Sequence, residues 1–341
     1  MTKIKAGVIG LGVGEQHIYG YEKCDCEVIA LCDKDAEKRQ QAAIKFPSCK
    51  VYETAEEMIA AGEIDVVSIA SFDQDHAPQI LSALKKGIHV FSEKPLCLKE
   101  SELDDIYAEL ASRPGLRLST NTILRLSERF TEVKLKIDGG QLGELYYVEA
   151  DYNYGRLHKL MSGWRGDISE YSVMLGGGVH MVDLLIWLAG STVVEVQAYG
   201  NKFCSKGASF KTPDMVVALM RFENGVVGKV AANFGCVYPH FHKVSLYGTD
   251  GTFENARNGG ELILSRDPNS EPFSLTSPYP GASKGDLIPS FIQAVQGQGD
   301  PIVSEKDVYS AVSACLAIDL SLSEGKSVKV KQYQDTLRKH A

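Results

Sequence analysis

Short apolar runs alternate with amphipathic stretches over the first 120 residues of the chain. The apolar runs, which predict β-strands, cover residues 4–9, 27–32, 65–70, 89–92 and 116–119. Between them, residues 15–24, 35–46, 77–86 and 99–112 have the pattern of helices. This alternation predicts a doubly wound parallel sheet with helices on both faces, and such sheets bind ligands beyond the C-terminal ends of their strands.

The pattern of hydrophobic positions changes after about residue 122. Alternation with period two predicts strands over residues 146–152, 193–199, 215–222, 226–233, 243–247 and 261–265, and helices are predicted over 177–189 and 308–324. Turn signals such as Glu223-Asn224-Gly225 separate several of the strands, as in an open antiparallel or mixed sheet. The sequence therefore predicts an α/β protein of two domains, residues 1–121 and 122–341, whose last helix can pack back near the first domain.

Length and composition exclude several classes of protein. A chain of 341 residues exceeds one comfortable hydrophobic core, and 44% hydrophobic with 23% charged residues is an ordinary globular mixture. A net charge of −8 argues against a nucleic-acid-binding surface, although it leaves room for a local basic pocket. No apolar run approaches the roughly 20 residues of a membrane helix, and the N-terminus does not read as a signal peptide. We therefore expect a cytoplasmic protein with no membrane or nucleic-acid partner.

The eight cysteines are scattered along the chain, which favours reduced structural thiols. Cys24-x-Cys26 could instead be half of a metal site, but no second cysteine pair accompanies it, so no metal is expected.

A glycine-rich segment, Gly10-Leu11-Gly12-Val13-Gly14, lies where the first strand turns into the first helix. Gly10 permits a tight turn, and Gly12 lets the backbone approach a pyrophosphate that the N–H groups at the helix start would bind. We expect this turn, including Val13 and Gly14, to bind a dinucleotide. The third glycine of the usual pattern would fall at position 15, which is Glu15; a plain strand–turn–helix is the alternative.

Asp33 ends the second strand, 23 residues after Gly10. A carboxylate at that place can bind the adenosine ribose hydroxyls and would repel a 2′-phosphate, so NAD is favoured over NADP. Lys34 could soften that preference. The alternative is that Asp33 is an ordinary N-cap of the helix that follows.

Glu93-Lys94-Pro95 follows the strand over residues 89–92, at the C-terminal edge of the sheet. A desolvated lysine beside a positively charged nicotinamide would have a lowered pKa, so Lys94 could exchange a proton near neutral pH. Pro95 would fix the turn and could follow a cis peptide bond. The alternative is a solvated loop lysine. Ser71 and Glu93 lie at the same edge and join the expected cofactor-binding residues.

The segments GLGVGEQH, ALCDKD, IDVVSIAS, GIHVFSEKPL and GGGVHMVDLLIWLAG occur in this order. Together they resemble the glucose–fructose oxidoreductase and inositol dehydrogenase family, called GFO/IDH/MocA, over nearly the whole chain. The resemblance implies a Rossmann domain followed by an α/β domain with an open, largely antiparallel sheet. It also implies a homodimer or homotetramer, because that sheet commonly supports oligomers in the family.

The resemblance implies roles for three residues. Lys94 matches a lysine that hydrogen-bonds the reacting hydroxyl, and His180 matches the acid/base that acts during hydride transfer to nicotinamide. His76 matches a position near the cofactor.

One departure from the family pattern concerns position 176. Many family members carry an aspartate four residues before the catalytic histidine, where this chain has Gly176. Either Lys94 and His180 suffice, another carboxylate supplies the role, or the reaction differs. Asp183, one helical turn beyond His180, could orient the imidazole or could be a structural residue.

Several polar and aromatic residues are expected to contact substrate. Trp164 and Arg165 precede the helix of His180, and Tyr152, Tyr154, Arg156 and His158 alternate and could share a strand face. His240 and His242 alternate too; a metal there would need Asp183 or His180 as further ligands. The alternative for the tyrosines is packing. The expected substrate-contacting residues are Tyr154, Arg156, Trp164, Arg165, Asp183 and His242.

These features predict an NAD-dependent oxidoreductase acting on a secondary alcohol or ketone of a sugar, nucleotide sugar or cyclitol. Two alternatives remain open from the sequence. One is an enzyme that cleaves glycosidic bonds through transient oxidation by NAD, without net redox. The other is a non-catalytic dinucleotide-binding protein on the same fold.

Overall fold

The computed structural model describes residues 3–162, 164–168 and 171–334, and the chain divides into two compact units. Of the described residues, the first unit contains those up to Ile123, the segment Ser283–Tyr309, and Tyr333 with residue 334. The second contains the described residues within Leu124–Ala282 and Ser310–Gln332. The first unit is therefore built from separate parts of the chain.

The first unit is a six-stranded parallel sheet with the strand order β3-β2-β1-β4-β5-β6. Its strands are β1 (Ile4–Ile9), β2 (Cys26–Cys32), β3 (Lys50–Tyr52), β4 (Val66–Ile69), β5 (His89–Ser92) and β6 (Leu118–Thr120). Its helices are α1 (Glu15–Glu22), α2 (Ala36–Lys45), α3 (Ala55–Ala61), α4 (Asp73–Lys85), α5 (Glu100–Ala111) and a later helix, Ile288–Val295. The predicted doubly wound sheet is confirmed, and its strand order reverses between β1 and β4, where such sheets bind ligands.

Local signals set the ends of these helices. Asp35 caps α2 by accepting hydrogen bonds from two backbone N–H groups of its first turn. Thr54 and Glu57 form a capping box on α3, and Gly87 takes a φ of +79° just after α4. The hydrophobic pattern does not predict β3 or α3, because three residues of strand and seven of helix are too short for a periodic signal.

The second unit is a nine-stranded mixed sheet with the order β14-β13-β12-β11-β7-β10-β9-β8-β15. Its strands are β7 (Leu145–Asn153), β8 (Val193–Asn201), β9 (Met215–Phe222), β10 (Val227–Asn233), β11 (Phe241–Gly248), β12 (Thr252–Ala256), β13 (Gly259–Ile263), β14 (Phe273–Leu275) and β15 (Val328–Lys329). Only β7 and β10 pair in parallel among these described strands, so the largely antiparallel sheet is confirmed. β12, β14 and β15 are absent from the sequence prediction, since β12 is polar and the others have two or three residues.

The second unit also contains helices. They are α6 (Glu128–Asp138), α7 (His158–Met161), α8 (Trp164–Asp167) and α9 (Val179–Ala189), together with a π-helix at Met174–Gly178 that leads into α9. The chain passes between the two units inside a last helix, Glu305–Glu324. α9 is apolar and almost wholly buried, and it packs on β7. None of the described helices is long and apolar enough to cross a bilayer.

Candidate functional site

The glycine turn after β1 has the space that a dinucleotide requires. Gly10 has a φ of +85°, and a Cβ there would lie 2.3 Å from the carbonyl oxygen of Ala70. A Cβ at Gly12 would have Lys38 Nζ, at 3.7 Å, as its nearest neighbour, so this glycine faces open space. A pyrophosphate can therefore approach the backbone at Gly12, which is the fit that a bound NAD demands.

Gly14 takes the packing role that the usual pattern gives to position 15. A Cβ on Gly14 would lie 2.2 Å from Gly10 O and 2.9 Å from Val8 Cγ1, so its absence lets α1 approach β1. The side chain of Glu15 points instead to α2, where its carboxylate accepts a hydrogen bond of 2.6 Å from Lys45 Nζ. The departure at Glu15 is thus a displacement of the third glycine by one residue.

The Asp33 side chain is hydrogen-bonded to the glycine turn. Its Oδ2 accepts a hydrogen bond of 2.7 Å from the backbone N–H of Leu11, and its Oδ1 accepts one of 2.9 Å from Asp35 N. The alternative of Asp33 as the N-cap of α2 is wrong, because Asp35 is the capping residue. A carboxylate therefore lies beside the turn, where it can bind ribose hydroxyls.

The lysine beside the Asp33 carboxylate is not the one suggested by the sequence. Lys34 forms an ion pair of 3.0 Å with Asp75 on α4. Lys38 instead places Nζ 3.8 Å from Asp33 Oδ2, on the open side of Gly12. Of these two lysines, Lys38 is therefore the one placed to soften the preference for NAD over NADP.

Glu93 lies in the turn after β5 and is hydrogen-bonded within the first unit. It is 7% exposed, and its Oε1 accepts a hydrogen bond of 2.6 Å from Asn121 Nδ2. Burial favours the neutral acid, but the Lys284 ammonium, the hydrogen bond from His17 and the charge of Lys94 hold the pKa of Glu93 well below its usual range. Glu93 is thus a buried anion in the turn that carries Lys94.

His76 is fully buried, so in this structure its side chain presents no surface to a cofactor. Its Nδ1 lies 2.7 Å from the carbonyl oxygen of Pro95, and its Nε2 lies 3.2 Å from that of Ser71. The imidazole therefore ties the turn after β4 to the turn after β5, where the Lys94–Pro95 peptide bond is cis. Ser71 is partly exposed at this sheet edge, and its hydroxyl donates to Gln79 on α4.

In the second unit, three consecutive glycines bring the π-helix close to its neighbours. A Cβ on Gly177 would lie 2.5 Å from the Tyr152 ring, and one on Gly178 would lie 2.7 Å from the side chain of Met174. A Cβ on Gly176 would lie 1.9 Å from the hydroxyl oxygen of Tyr171. A side chain at position 176 would therefore require the Tyr171 ring to move.

His180 lies in the first turn of α9, is 6% exposed and borders a group of aromatic rings. Its ring stacks on Tyr152 at a centroid distance of 6.1 Å and meets the His242 ring edge-on at 6.5 Å. The Tyr154 ring also stacks on Tyr152, with a centroid distance of 5.6 Å, and the ring of the exposed His240 lies 4.8 Å from that of His242. We call Tyr152, Tyr154, His180, His240 and His242 the aromatic–imidazole cluster.

A hydrogen-bonded chain holds His242 in this cluster. Its backbone N–H donates to the Tyr279 hydroxyl over 3.1 Å, and its Nδ1 contacts the same oxygen. Asn255 donates to the carbonyl oxygen of His242 over 2.7 Å, and Arg129 donates to Asn255 over 2.9 Å. Nothing in the sequence indicated Arg129, Asn255 or Tyr279, because they lie on separate elements that only the folded sheet brings together.

Asp183 is a structural anion and not a substrate ligand. It is 1% exposed, and its two carboxylate oxygens accept hydrogen bonds of 2.7 and 3.0 Å from Nη2 and Nε of Arg125. This corrects the expectation of a substrate contact, because the guanidinium faces both oxygens. Arg125 was not singled out by any sequence motif.

The remaining expected substrate residues follow β7 along the chain, in a segment that includes α7 and α8. The expectation that residues 152–158 alternate along one strand is wrong, because β7 ends at Asn153 and Gly155 turns the chain with a φ of +60°. Arg156 is exposed, with its guanidinium 5.2 Å from the Tyr154 ring centroid. Arg165 covers the Trp164 ring at 4.2 Å. No group of three or more His, Cys, Asp or Glu with metal-binding geometry is found within residues 3–162, 164–168 and 171–334.

Comparison with known proteins places both units in one family. The description "Oxidoreductase family, NAD-binding Rossmann fold" matches residues 4–122, and "GFO/IDH/MocA C-terminal domain" matches residues 130–254. Myo-inositol 2-dehydrogenase from Thermotoga maritima is 24% identical over 341 residues, covering 96% of this chain and 99% of the relative.

Two solved structures share the fold along nearly the whole chain. Levoglucosan dehydrogenase in complex with NADH and levoglucosan has a TM-score of 0.85 at 20% identity, covering 97% of this chain and 100% of that one. Lactobacillus casei scyllo-inositol dehydrogenase with bound NAD(H) and scyllo-inositol has a TM-score of 0.80 at 20% identity, covering 96% and 99%.

The expectations of an NAD-binding Rossmann domain and of an oxidoreductase are confirmed. The NAD-binding family model spans the glycine turn and Asp33. The C-terminal family model spans α9 and its histidine, His180. The chain therefore belongs to the GFO/IDH/MocA family of oxidoreductases, whose NAD-binding Rossmann domain it carries over residues 4–122.

Proposed function

We propose that the protein is an NAD-dependent dehydrogenase of a cyclitol or a sugar, which moves a hydride between a secondary carbinol carbon and the nicotinamide. The observation that carries the proposal is the aromatic–imidazole cluster around His180. Aromatic faces suit the C–H faces of a sugar or cyclitol ring, and imidazole nitrogens suit its hydroxyl groups. The relatives named above for inositols and levoglucosan support the same substrate class.

In this proposal, NAD is held by the backbone of Gly10, Gly12, Val13 and Gly14 and by the Asp33 carboxylate. The open side of Gly12 and the carboxylate beside it support that assignment. Ser71, at the edge after β4, joins the binding residues. When bound, the nicotinamide accepts or returns the hydride.

The proposed proton chemistry uses Lys94 and His180. Lys94 donates a hydrogen bond to the reacting hydroxyl, and His180 removes its proton during oxidation or returns it during reduction. The buried Glu93 carboxylate supports this role, because it accepts a hydrogen bond from the backbone N–H of Lys94 and so helps to hold that residue in place. Tyr154, Arg156, Trp164, Arg165 and His242 are proposed to contact the other hydroxyl groups of the substrate.

We also propose a homodimer or homotetramer formed through the open face of the nine-stranded sheet. Large apolar side chains stand on that face, including Tyr199, which is 65% exposed, and Leu219, which is 57% exposed. Covering such a face is a common reason for assembly. All eight cysteines are free thiols, which supports a reducing compartment, and we propose the cytoplasm.

A substrate panel tests the proposal. Purified protein is mixed with NAD+ or NADP+ and with inositols, free sugars, anhydrosugars such as levoglucosan, or nucleotide sugars, and NADH absorbance is followed. We expect NADH with at least one cyclitol or sugar, and about 100-fold less with Lys94→Ala or His180→Ala. Substrate cleavage without NADH would favour the glycosidase chemistry, and NAD binding without turnover of any compound would favour a non-catalytic role.

A further inference from the structure

We propose that Tyr279 is a positioning residue for His242, which it holds as a neutral imidazole that donates an N–H group from Nε2 to the substrate. The inference rests on the proposed function, since His242 is there proposed to contact a substrate hydroxyl group. It starts from the Tyr279 hydroxyl, which contacts both the backbone and the ring of His242.

The hydrogen bonds of the Tyr279 hydroxyl select one tautomer of His242. Its oxygen accepts a hydrogen bond of 3.1 Å from the His242 backbone N–H, and the ring Nδ1 contacts the same oxygen. If Nδ1 carried a hydrogen, the phenol oxygen would accept two N–H groups, and its own hydrogen would have no acceptor in the part of the chain that the structure describes. With Nδ1 as the acceptor, every one of these groups is paired. The ring hydrogen then belongs to Nε2.

The phenol keeps the hydrogen that this arrangement needs. Burial raises the pKa of Tyr279 above its usual range, and it outweighs the opposite effects of the His242 backbone N–H and of the Arg129 charge. The hydroxyl is therefore neutral near pH 7 and can donate. An imidazolium would carry hydrogen on both nitrogens and could not accept at Nδ1, so the same contact favours the neutral ring.

The guanidinium of Arg129 fixes the two partners relative to each other. It donates hydrogen bonds of 2.9 Å to Asn255 Oδ1 and of 3.0 Å to the carbonyl oxygen of Ser277, two residues before Tyr279. Asn255 in turn donates to the carbonyl oxygen of His242 over 2.7 Å, and the Arg129 guanidinium lies 5.3 Å from the Tyr279 ring centroid. The backbone of His242 and the segment of Tyr279 are thus tied to one buried cation.

A fixed tautomer gives His242 a different task from His180. Nδ1 is turned to Tyr279, and the ring of His242 lies 5.3 Å from that of Tyr152 and 6.5 Å from that of His180. An Nε2–H group donates to an oxygen lone pair but cannot accept a hydroxyl hydrogen. His180, as the proposed acid/base, must take up and return a proton. His242 therefore recognises a substrate oxygen that stays unreacted, and it disfavours an analogue that lacks this oxygen.

The first test reads the imidazole directly and needs no substrate. Nitrogen-15 NMR of histidine-labelled protein reports the tautomer, and the His242 signals are assigned by their loss in His242→Gln. Wild-type protein should hold the Nε2–H tautomer in about tenfold excess or more, and Tyr279→Phe should lower that excess about threefold or more, because one hydrogen bond is lost.

Tyr247→Phe is the matched control for this comparison. It also removes a phenol hydroxyl and lies on the same strand as His242, but five residues and about 17 Å further along. It should leave the tautomer ratio within about 1.5-fold. An unchanged ratio in Tyr279→Phe, or an equal change in Tyr247→Phe, would overturn the inference.

The second test uses kinetics with myo-inositol and levoglucosan as the probes. Tyr279→Phe should raise KM about fivefold or more and change kcat less than about twofold, because His242 binds the substrate and does not carry the reacting proton. A loss of kcat with an unchanged KM would overturn the inference. Wild-type protein inactive on every compound of the substrate panel would count against the proposed function, and the NMR comparison would still decide the role of Tyr279.

Discussion

Arg125 and Asp183 form a buried ion pair in which two guanidinium nitrogens donate to two carboxylate oxygens. Arg125 lies in a short 3-10 helix, and Asp183 lies on α9, three residues after His180. Both side chains are almost fully buried, so each charge has lost its hydration and is stabilised by the opposite charge of its partner. The pair therefore anchors α9, which carries the proposed acid/base.

Breaking this pair should destabilise the fold. Asp183→Asn leaves a buried guanidinium without its counter-charge, and we expect a loss of about 3–5 kcal/mol in the free energy of unfolding. Arg125→Met/Asp183→Leu removes both charges and should lose much less. Urea unfolding measures the free energies, and equal stability of Asp183→Asn and wild type would contradict the structural assignment.

The two glycines of the nucleotide turn should respond differently to the same substitution. Gly14→Ala places a methyl group 2.2 Å from Gly10 O, so it should destabilise the first unit by about 2 kcal/mol or more. Gly12→Ala meets nothing closer than 3.7 Å and should fold normally, yet it should weaken NADH binding about tenfold or more by blocking the pyrophosphate. Thermal unfolding and NADH fluorescence titration separate the two effects. Normal NADH affinity in a folded Gly12→Ala would contradict the proposed cradle.

The choice between NAD and NADP should depend on Asp33 and Lys38. Asp33→Ser removes the charge that repels a 2′-phosphate, and we expect the NADP/NAD ratio of affinities to rise about 100-fold. Adding Lys38→Ala should reverse part of that gain, because Lys38 Nζ lies beside the vacated position. Lys34→Ala is the control; its ammonium is paired with Asp75, so it should leave the ratio unchanged.

Asp319, on the helix Glu305–Glu324, should make stability depend on pH. Burial raises the pKa of Asp319 to about 7 from its ordinary 3.8, against the hydrogen bond from Ser172. Between these two values the folded chain keeps a proton that the unfolded chain has lost. Its contribution to stability is therefore lost as the pH rises from about 4 to about 7, and is constant above that.

Asp319→Asn keeps an acceptor for the Ser172 hydroxyl and removes the titration. It should gain about 2–4 kcal/mol over wild type above pH 7 and almost nothing near pH 4. Urea unfolding at several pH values measures this, with Glu324→Gln as an exposed control on the same helix. A difference between mutant and wild type that does not change with pH would refute the assignment.

The sequence predicted the features that depend on residues close together in the chain. The glycine turn, the strand before Lys94 and the helix of His180 have short-range signals, so the cofactor domain and the family could be anticipated. The roles of buried partners could not, since Arg125, Asn255 and Tyr279 become neighbours of the site only after the sheet has formed. For the same reason His76 and Glu93, which seemed suited to a cofactor, proved to be internal braces.

The sequence also could not show that two roles are carried by residues other than those the motif suggests. The third glycine of the nucleotide turn acts one residue early, at Gly14, and the cation beside Asp33 is Lys38 in place of Lys34. Gly176 looked like the loss of a functional group, and only the packing of Tyr171 against it explains the missing side chain. When a residue elsewhere in the chain takes the place of an expected one, the hydrophobic pattern of a single sequence does not reveal it.

Transfer of deuterium from substrate to cofactor tests the central claim most directly. Wild-type protein is incubated with NAD+ and carbinol-deuterated inositols and sugars, and the mass of the reduced cofactor is measured. The account predicts NADH that carries one deuterium, formed about 100-fold more slowly in Lys94→Ala and His180→Ala. Reduced cofactor without deuterium, or full rates in both variants, would contradict direct hydride transfer managed by these two residues.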